Sequence, residues 1–178
     1  FFEHLCPVLR EVIPLFDERA FINNIFTKDW PDLELKQRVR RITHALHNTM
    51  RAAAYGDAAK KIVAISNLLR EKNVKLQSFP YIFLPDYIEI YGQRHFEISM
   101  SAIRDVTKLV SAEFAIRPFL INEPERTLSK LLHWSTNDDE NIRRLSSEGC
   151  RPRLPWAVAL AAFKQNPAPI LPILENLK

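Results

Sequence analysis

Apolar residues return every three to four positions along most of the chain, the period of a helix with one buried face. A first helix is predicted over residues 2–10. Asp17 is placed as the N-cap of a second, followed by Phe21, Ile22, Ile25 and Phe26 at helical spacing. Asp32 is expected to cap a long helix running to Met50. Its apolar face holds Leu35, Val39, Ile42, Ala45 and Leu46, and its other face carries Lys36, Arg38, Arg40 and Arg41. A further helix starts at Asp57 and presents Ile62, Ile65, Leu68 and Leu69. The period is lost over residues 73–85, rich in Phe, Tyr and Pro, which predicts a connector. A short helix over 86–91 closes at Gly92.

The remaining pattern is more regular. Helices are predicted over 96–110, over 113–120 with Pro118 bending or ending it, and over 125–134 behind Pro124. Asp138 is expected to cap a helix over 140–148 that Gly149 terminates. Two more follow, over 155–165 and 169–177. Paired short helices separated by Pro or Asn/Asp turns predict an all-α fold, a curved α-solenoid of HEAT-like helix pairs. No clean repeat period shows in the residues themselves, so the rhythm of elements carries this expectation. The chain is expected to form a single HEAT-like helical domain over 1–178, incomplete at its C-terminal end because a helical pattern is still running at Lys178.

Composition supports helices over hairpins. There are only three glycines, at 56, 92 and 149, against twelve prolines that fall mostly between candidate helices. With 47% hydrophobic and 26% charged residues the chain is of ordinary globular type. No apolar run approaches the roughly 20 residues that span a bilayer. Cys6 and Cys150 have no metal-type spacing and fit a reducing cytoplasm.

Charge is unevenly spread. Residues 1–112 carry 16 basic and 13 acidic side chains, residues 113–140 carry 3 and 6, and residues 141–178 carry 6 and 2. Arg143, Arg144, Arg151 and Arg153 fall within eleven residues. Such a cluster can neutralise phosphates, though a solvated helix end has the same composition.

The chain has no glycine-rich phosphate loop, CxxC pair or HExxH motif. His44 and His47 lie one helical turn apart with no further ligand in sight, so neither a metal nor a cofactor is expected. Carboxylates and aromatics remain. Glu113 sits among apolar residues in SAEFAIRPF, where spacing offers Arg117 as its partner. Glu148 sits in RRLSSEGCRPRLPW, with Arg144 one turn before it on the same face. Spacing alone makes each glutamate a structural partner of its arginine. Trp156, behind Pro155 at a helix start, is by default a packing residue. Yet an aromatic among four arginines and an acid also suits a sugar or base beside a phosphate.

Residues 111–120 (SAEFAIRPFL) and 142–156 (IRRLSSEGCRPRLPW) resemble the signature of the AlkC-type DNA alkylation repair proteins, HEAT-like-repeat DNA glycosylases related to AlkD. Residues 33–39 (LELKQRV), 91–100 (YGQRHFEISM) and the ending 169–178 fit the same family, so the resemblance covers nearly the whole chain. It implies excision of cationic N-alkylated bases, chiefly 3-methyladenine and also 3-methylcytosine, from double-stranded DNA, by a monomer and without full base flipping. Carried onto matching positions, Glu113 and Glu148 would be the catalytic carboxylates. Arg144 would orient Glu148 or contact the lesion strand, and Trp156 would pack against the lesion's deoxyribose. Arg117, Arg143, Arg151 and Arg153 would hold DNA. Two departures stand out: the family would carry more helical repeat beyond Lys178, and Cys150 replaces a small hydroxylated residue. The competing expectation is a non-catalytic HEAT-like module that binds nucleic acid or a protein partner.

Overall fold

The computed structural model describes residues 1–50, 54–72 and 79–178. Among these residues every regular element is helical. The α-helices are α1 (Phe2–Val12), α2 (Glu18–Ile25), α3 (Leu35–Met50), α4 (Tyr55–Glu71), α5 (Phe83–Tyr91), α6 (Phe96–Val106), α7 (Glu113–Asn122), α8 (Pro124–Trp134), α9 (Glu140–Cys150), α10 (Ala161–Gln165) and α11 (Leu171–Glu175). Short 3₁₀ turns precede α3, α5 and α11.

The elements stack in two rows. In one, α3 packs on α5, α5 on α7 and α7 on α9; α4 and α6 pack together in the other, and α8 closes against α7 and α9. This is the curved α-solenoid of helix pairs read from the sequence. The core runs continuously between the rows. Leu46, Ile62, Ile65, Phe83, Ile88, Ile103, Ile116, Phe119 and Leu145 are all buried in it.

Several boundaries differ from the sequence reading, each for a local reason. Asp17 does cap α2, accepting from the Ala20 N–H at 2.9 Å. Asp32 instead ends the 3₁₀ turn Trp30–Asp32, and α3 begins three residues later, where Gln37 Oε1 accepts from the Glu34 N–H at 2.7 Å. Asp57 lies inside the first turn of α4, not at its cap. The expected connector lies only partly within the described residues, since 73–78 fall outside them. Its second half, from Phe79, is a 3₁₀ turn running straight into α5, and Tyr81, Phe83 and Leu84 bury there. The α6 helix stops at Val106, four residues early, and Pro118 sits within α7 without ending it.

Asp139, not Asp138, caps α9: its carboxylate accepts from the N–H groups of Asn141 and Ile142 at 2.9 and 3.3 Å. Nor does Gly149 end that helix, which continues through Cys150 with no left-handed residue. Its use is close approach. A Cβ at Gly149 would stand 2.7 Å from the Ile116 Cγ2, so the missing side chain lets α9 lie directly on α7. The predicted helix over 155–165 shrinks to α10. Its first half is a loop, because the carbonyls of Arg151, Pro152 and Val158 bond to a buried side chain from α7.

Candidate active site

The row α3–α5–α7–α9 lines up the polar side chains that the core does not use. Glu113 opens α7, where the helix dipole favours a carboxylate. Its Oε1 accepts from Ser111 Oγ at 2.8 Å and meets Arg144 Nη1, from α9, at 2.7 Å. The Glu113 side chain is 13% exposed and that of Arg144 is 57% exposed. Both border a cleft of about 340 Å³ whose other walls include Phe79, Ile82, Val110, Phe114 and Asn141. The cleft is thus mixed in character, with aromatic and aliphatic walls interrupted by Thr107, Ser111 and Asn141, and one acid and one base presented into it.

Glu148 lies near the end of α9, outside the lining of this cleft, and bonds Arg151 Nη1 at 2.7 Å. That bond raises the affinity of Arg151 for its proton, and the charge of Glu113 adds to the effect. Both carboxylates therefore act on one guanidinium. The pairs expected from spacing, Glu113 with Arg117 and Arg144 with Glu148, are replaced by Glu113 with Arg144 and Glu148 with Arg151. The exchange follows from packing: α9 crosses α7 closely at Gly149, which brings Arg144 to Glu113, while Arg117 points the other way.

Arg117 is fully buried. It donates to the backbone carbonyls of Val158 (2.5 Å), Arg151 (2.9 Å), Gly149 (3.2 Å) and Pro152 (3.4 Å). Burial makes its charge more costly and pulls its pKa down. A side chain so enclosed has no face for DNA, contrary to the expectation that grouped it with the phosphate-binding arginines. Arg143 is half-buried and ties the α8–α9 turn through the carbonyls of Asn137 and Asp138, at 2.7 and 2.8 Å. Arg151 and Arg153 are exposed.

Trp156 does not start a helix. It stands in the loop before α10 with φ at 64° and 63% of its surface exposed. Its carbonyl accepts from Lys36 Nζ at 2.8 Å, and its ring meets Phe79 edge to face at 6.2 Å. A narrower recess continues from the cleft beneath it, bounded by Leu35, Lys36, Val39, Phe114, Asp86 and Glu89. Asp86 is buried and held by Arg40 at 3.0 and 3.1 Å and by Thr43 Oγ1 at 2.7 Å. Glu89 is pushed above the usual carboxylate range, first by burial and then by the Asp86 charge.

Sequence reasoning passed over Phe79, Phe114 and the Arg40–Asp86–Glu89 group. Phe114 stands inside the motif itself, beside Glu113, but Phe79 and the Arg40–Asp86–Glu89 group lie far from it in the chain, and only the stacking of α5 on α3 and α7 brings them to it. Lys36 was visible as part of a basic helix face, but not as a partner of Trp156. Among the described residues no group of three His, Cys, Asp or Glu is placed to hold a metal ion, and no helix is long and apolar enough to cross a membrane.

Fold and site together define a helical-repeat protein with an arginine-held carboxylate in an aromatic cleft. No family model matches the chain. The uncharacterized protein YhaZ of Bacillus subtilis (strain 168) is 40% identical over 169 residues, covering 95% of this chain and 45% of that protein. The solved structure of the Pseudomonas fluorescens alkylpurine DNA glycosylase AlkC bound to DNA containing an abasic site analog matches with a TM-score of 0.87 at 35% identity. That match covers 99% of this chain and 47% of the solved one. The chain thus spans about half the length of the proteins it matches. Over that half it is similar in sequence and in helical-repeat fold to AlkC.

Proposed function

We propose that the chain carries the catalytic helical region of a monofunctional DNA glycosylase that removes cationic alkylated bases, 3-methyladenine first and 3-methylcytosine second, from duplex DNA. The observation that carries this reading is Glu113, a largely buried carboxylate set in a cleft walled partly by aromatic side chains and held there by Arg144 and Ser111. The AlkC match, solved on DNA containing an abasic site analog, supports the same class of substrate.

The chemistry asks for little more. A base alkylated on a ring nitrogen carries positive charge and leaves as a neutral molecule, taking the electron pair of the C1′–N bond without needing a proton donor. The barrier lies in the oxocarbenium-like sugar, as in glycoside hydrolysis generally. Glu113 stabilises that charge from one side and accepts a proton from the water that attacks C1′. The exposed face of Trp156 favours the cationic sugar, and Arg144, Arg151 and Arg153 hold the flanking phosphates. Glu148, the second carboxylate of the motif, orients Arg151 through their 2.7 Å ion pair.

A second reading, a repeat module that binds without turnover, is favoured by one observation: both glutamates are already engaged in ion pairs. The two readings part in one experiment. Methylated duplex DNA is incubated with the full-length wild-type protein, Glu113→Gln and Glu148→Gln, and free 3-methyladenine is quantified. Release by wild type and a loss of about a hundredfold or more in Glu113→Gln supports the glycosylase. Salt-sensitive DNA binding without release supports the module.

A further inference from the structure

We infer that Arg117 is a positioning residue that holds Trp156, and with it the Glu148–Arg151 pair, in place from behind. The inference rests on the glycosylase reading for its consequence, though not for its geometry. Arg117 is the largest fully buried side chain of the protein's described residues, yet no carboxylate pairs with it among them. A buried cation kept without an acid is costly, and one that only filled space would be better replaced by Met or Leu. Its guanidinium is instead spent on four carbonyls, and their positions are informative.

The carbonyl of Gly149 lies between Glu148 and the end of α9, and those of Arg151 and Pro152 open the following loop. The carbonyl of Val158 lies two residues past Trp156. One planar group therefore grips the loop on both sides of Trp156. Within that grip Trp156 adopts a left-handed backbone conformation, which a bulky side chain keeps only where its surroundings impose it. From the solvent side Lys36 takes the Trp156 carbonyl. The largely exposed ring is thus set by a clamp in the core and a latch on α3, with an edge contact to Phe79 beside them. Five donors in a fixed fork suit this task, and lysine could not replace them.

Two measurements on the full-length protein test this, one independent of any activity. With 5-fluorotryptophan incorporated, the Trp156 resonance is identified by its loss in Trp156→Phe, and the buried Trp134 of α8 reports on the fold. Arg117→Met and Arg117→Lys should shift or broaden the Trp156 signal and leave that of Trp134 in place. An unmoved Trp156 signal in a folded variant overturns the inference. Failure of both variants to fold, or movement of both signals together, overturns it too, since Arg117 would then support the whole core.

The second measurement is single-turnover base release. Arg117→Met should slow it by up to about a hundredfold, the cost of small misplacement at a reacting centre. Combined with Trp156→Ala, it should slow release little beyond the slower single variant, because both changes remove the same contact. Multiplying losses would mean that Arg117 does not act through Trp156. Absence of release from wild type counts against the glycosylase reading alone and leaves the fluorine result to decide the clamp.

Discussion

Gly149→Ala is the substitution whose effect the packing determines most tightly. On an exposed helix this change would stabilise the protein, by up to about 1 kcal/mol, because alanine restricts the unfolded chain and favours helix. Here the added methyl would stand 2.7 Å from Ile116 Cγ2, with Leu145 Cδ1 at 3.6 Å on another side. The neighbour is a buried, β-branched side chain that cannot swing away. Overpacking costs about 1–3 kcal/mol, and a contact as short as 2.7 Å belongs in the upper part of that range, about 2–3, so after the alanine gain the net effect is a loss of about 1–2 kcal/mol. For a chain of this size that is a fall in Tm of roughly 2–8 °C, read by circular dichroism. Ile116→Leu moves the branch off Cβ and removes the clashing atom at nearly constant volume. The double variant should therefore recover most of the loss. Because α7 carries Glu113 and α9 carries Arg144, Gly149→Ala should also slow base release. A single variant as stable as wild type, or more so, would refute the claim that the two helices approach this closely.

Three smaller tests address other parts of the structure. Asp139→Ala should cost about 1 kcal/mol through loss of the α9 cap, whereas Asp138→Ala should leave Tm nearly unchanged. The reverse order would restore the cap expected from sequence. Cys150 is buried and its thiol is pushed up to about 11, so iodoacetamide at about pH 8 should label it only after denaturation, as read by peptide mass spectrometry. Labelling of the native protein at a free-thiol rate would contradict its burial. His47 is held below its ordinary 6.5, first by partial burial and then by His44. The unfolded chain therefore binds the proton first as pH falls. Stability should drop as pH passes below 6.5 toward the folded value, and His47→Gln should flatten that slope just below pH 6.5. An identical slope in the variant would show that other groups set it.

The helical period was legible because most helices bury one face against the second row; α2, α7, α8 and α9 sit close to where periodicity put them. Failures arose where tertiary contacts outweigh local preference. Nothing around Pro155 and Trp156 announces a loop, since Pro is a good first residue for a helix. The loop exists because Arg117, nearly forty positions earlier, captures its carbonyls. Gly149 was read as a helix stop, the commonest use of glycine, whereas here its purpose is to let another helix in. The carboxylates show the same limit. Spacing along one helix proposed Glu113 with Arg117 and Glu148 with Arg144, but the pairs that form are set by the crossing of α7 and α9. The aromatic walls of the cleft, from Phe79 and Phe114, depend on stacking that no local pattern encodes.

The carboxylate of Glu113 is the group on which the proposed chemistry turns, and one paired measurement tests it. For full-length wild type and Glu113→Gln, affinity for a duplex bearing an abasic-site analogue is measured beside the single-turnover rate of 3-methyladenine release. Glutamine keeps the size and the bond to Ser111 but carries no charge. The expected result is DNA affinity within a fewfold of wild type and release slowed by about a hundredfold or more. Release at the wild-type rate from Glu113→Gln, with DNA bound as tightly, would contradict the account.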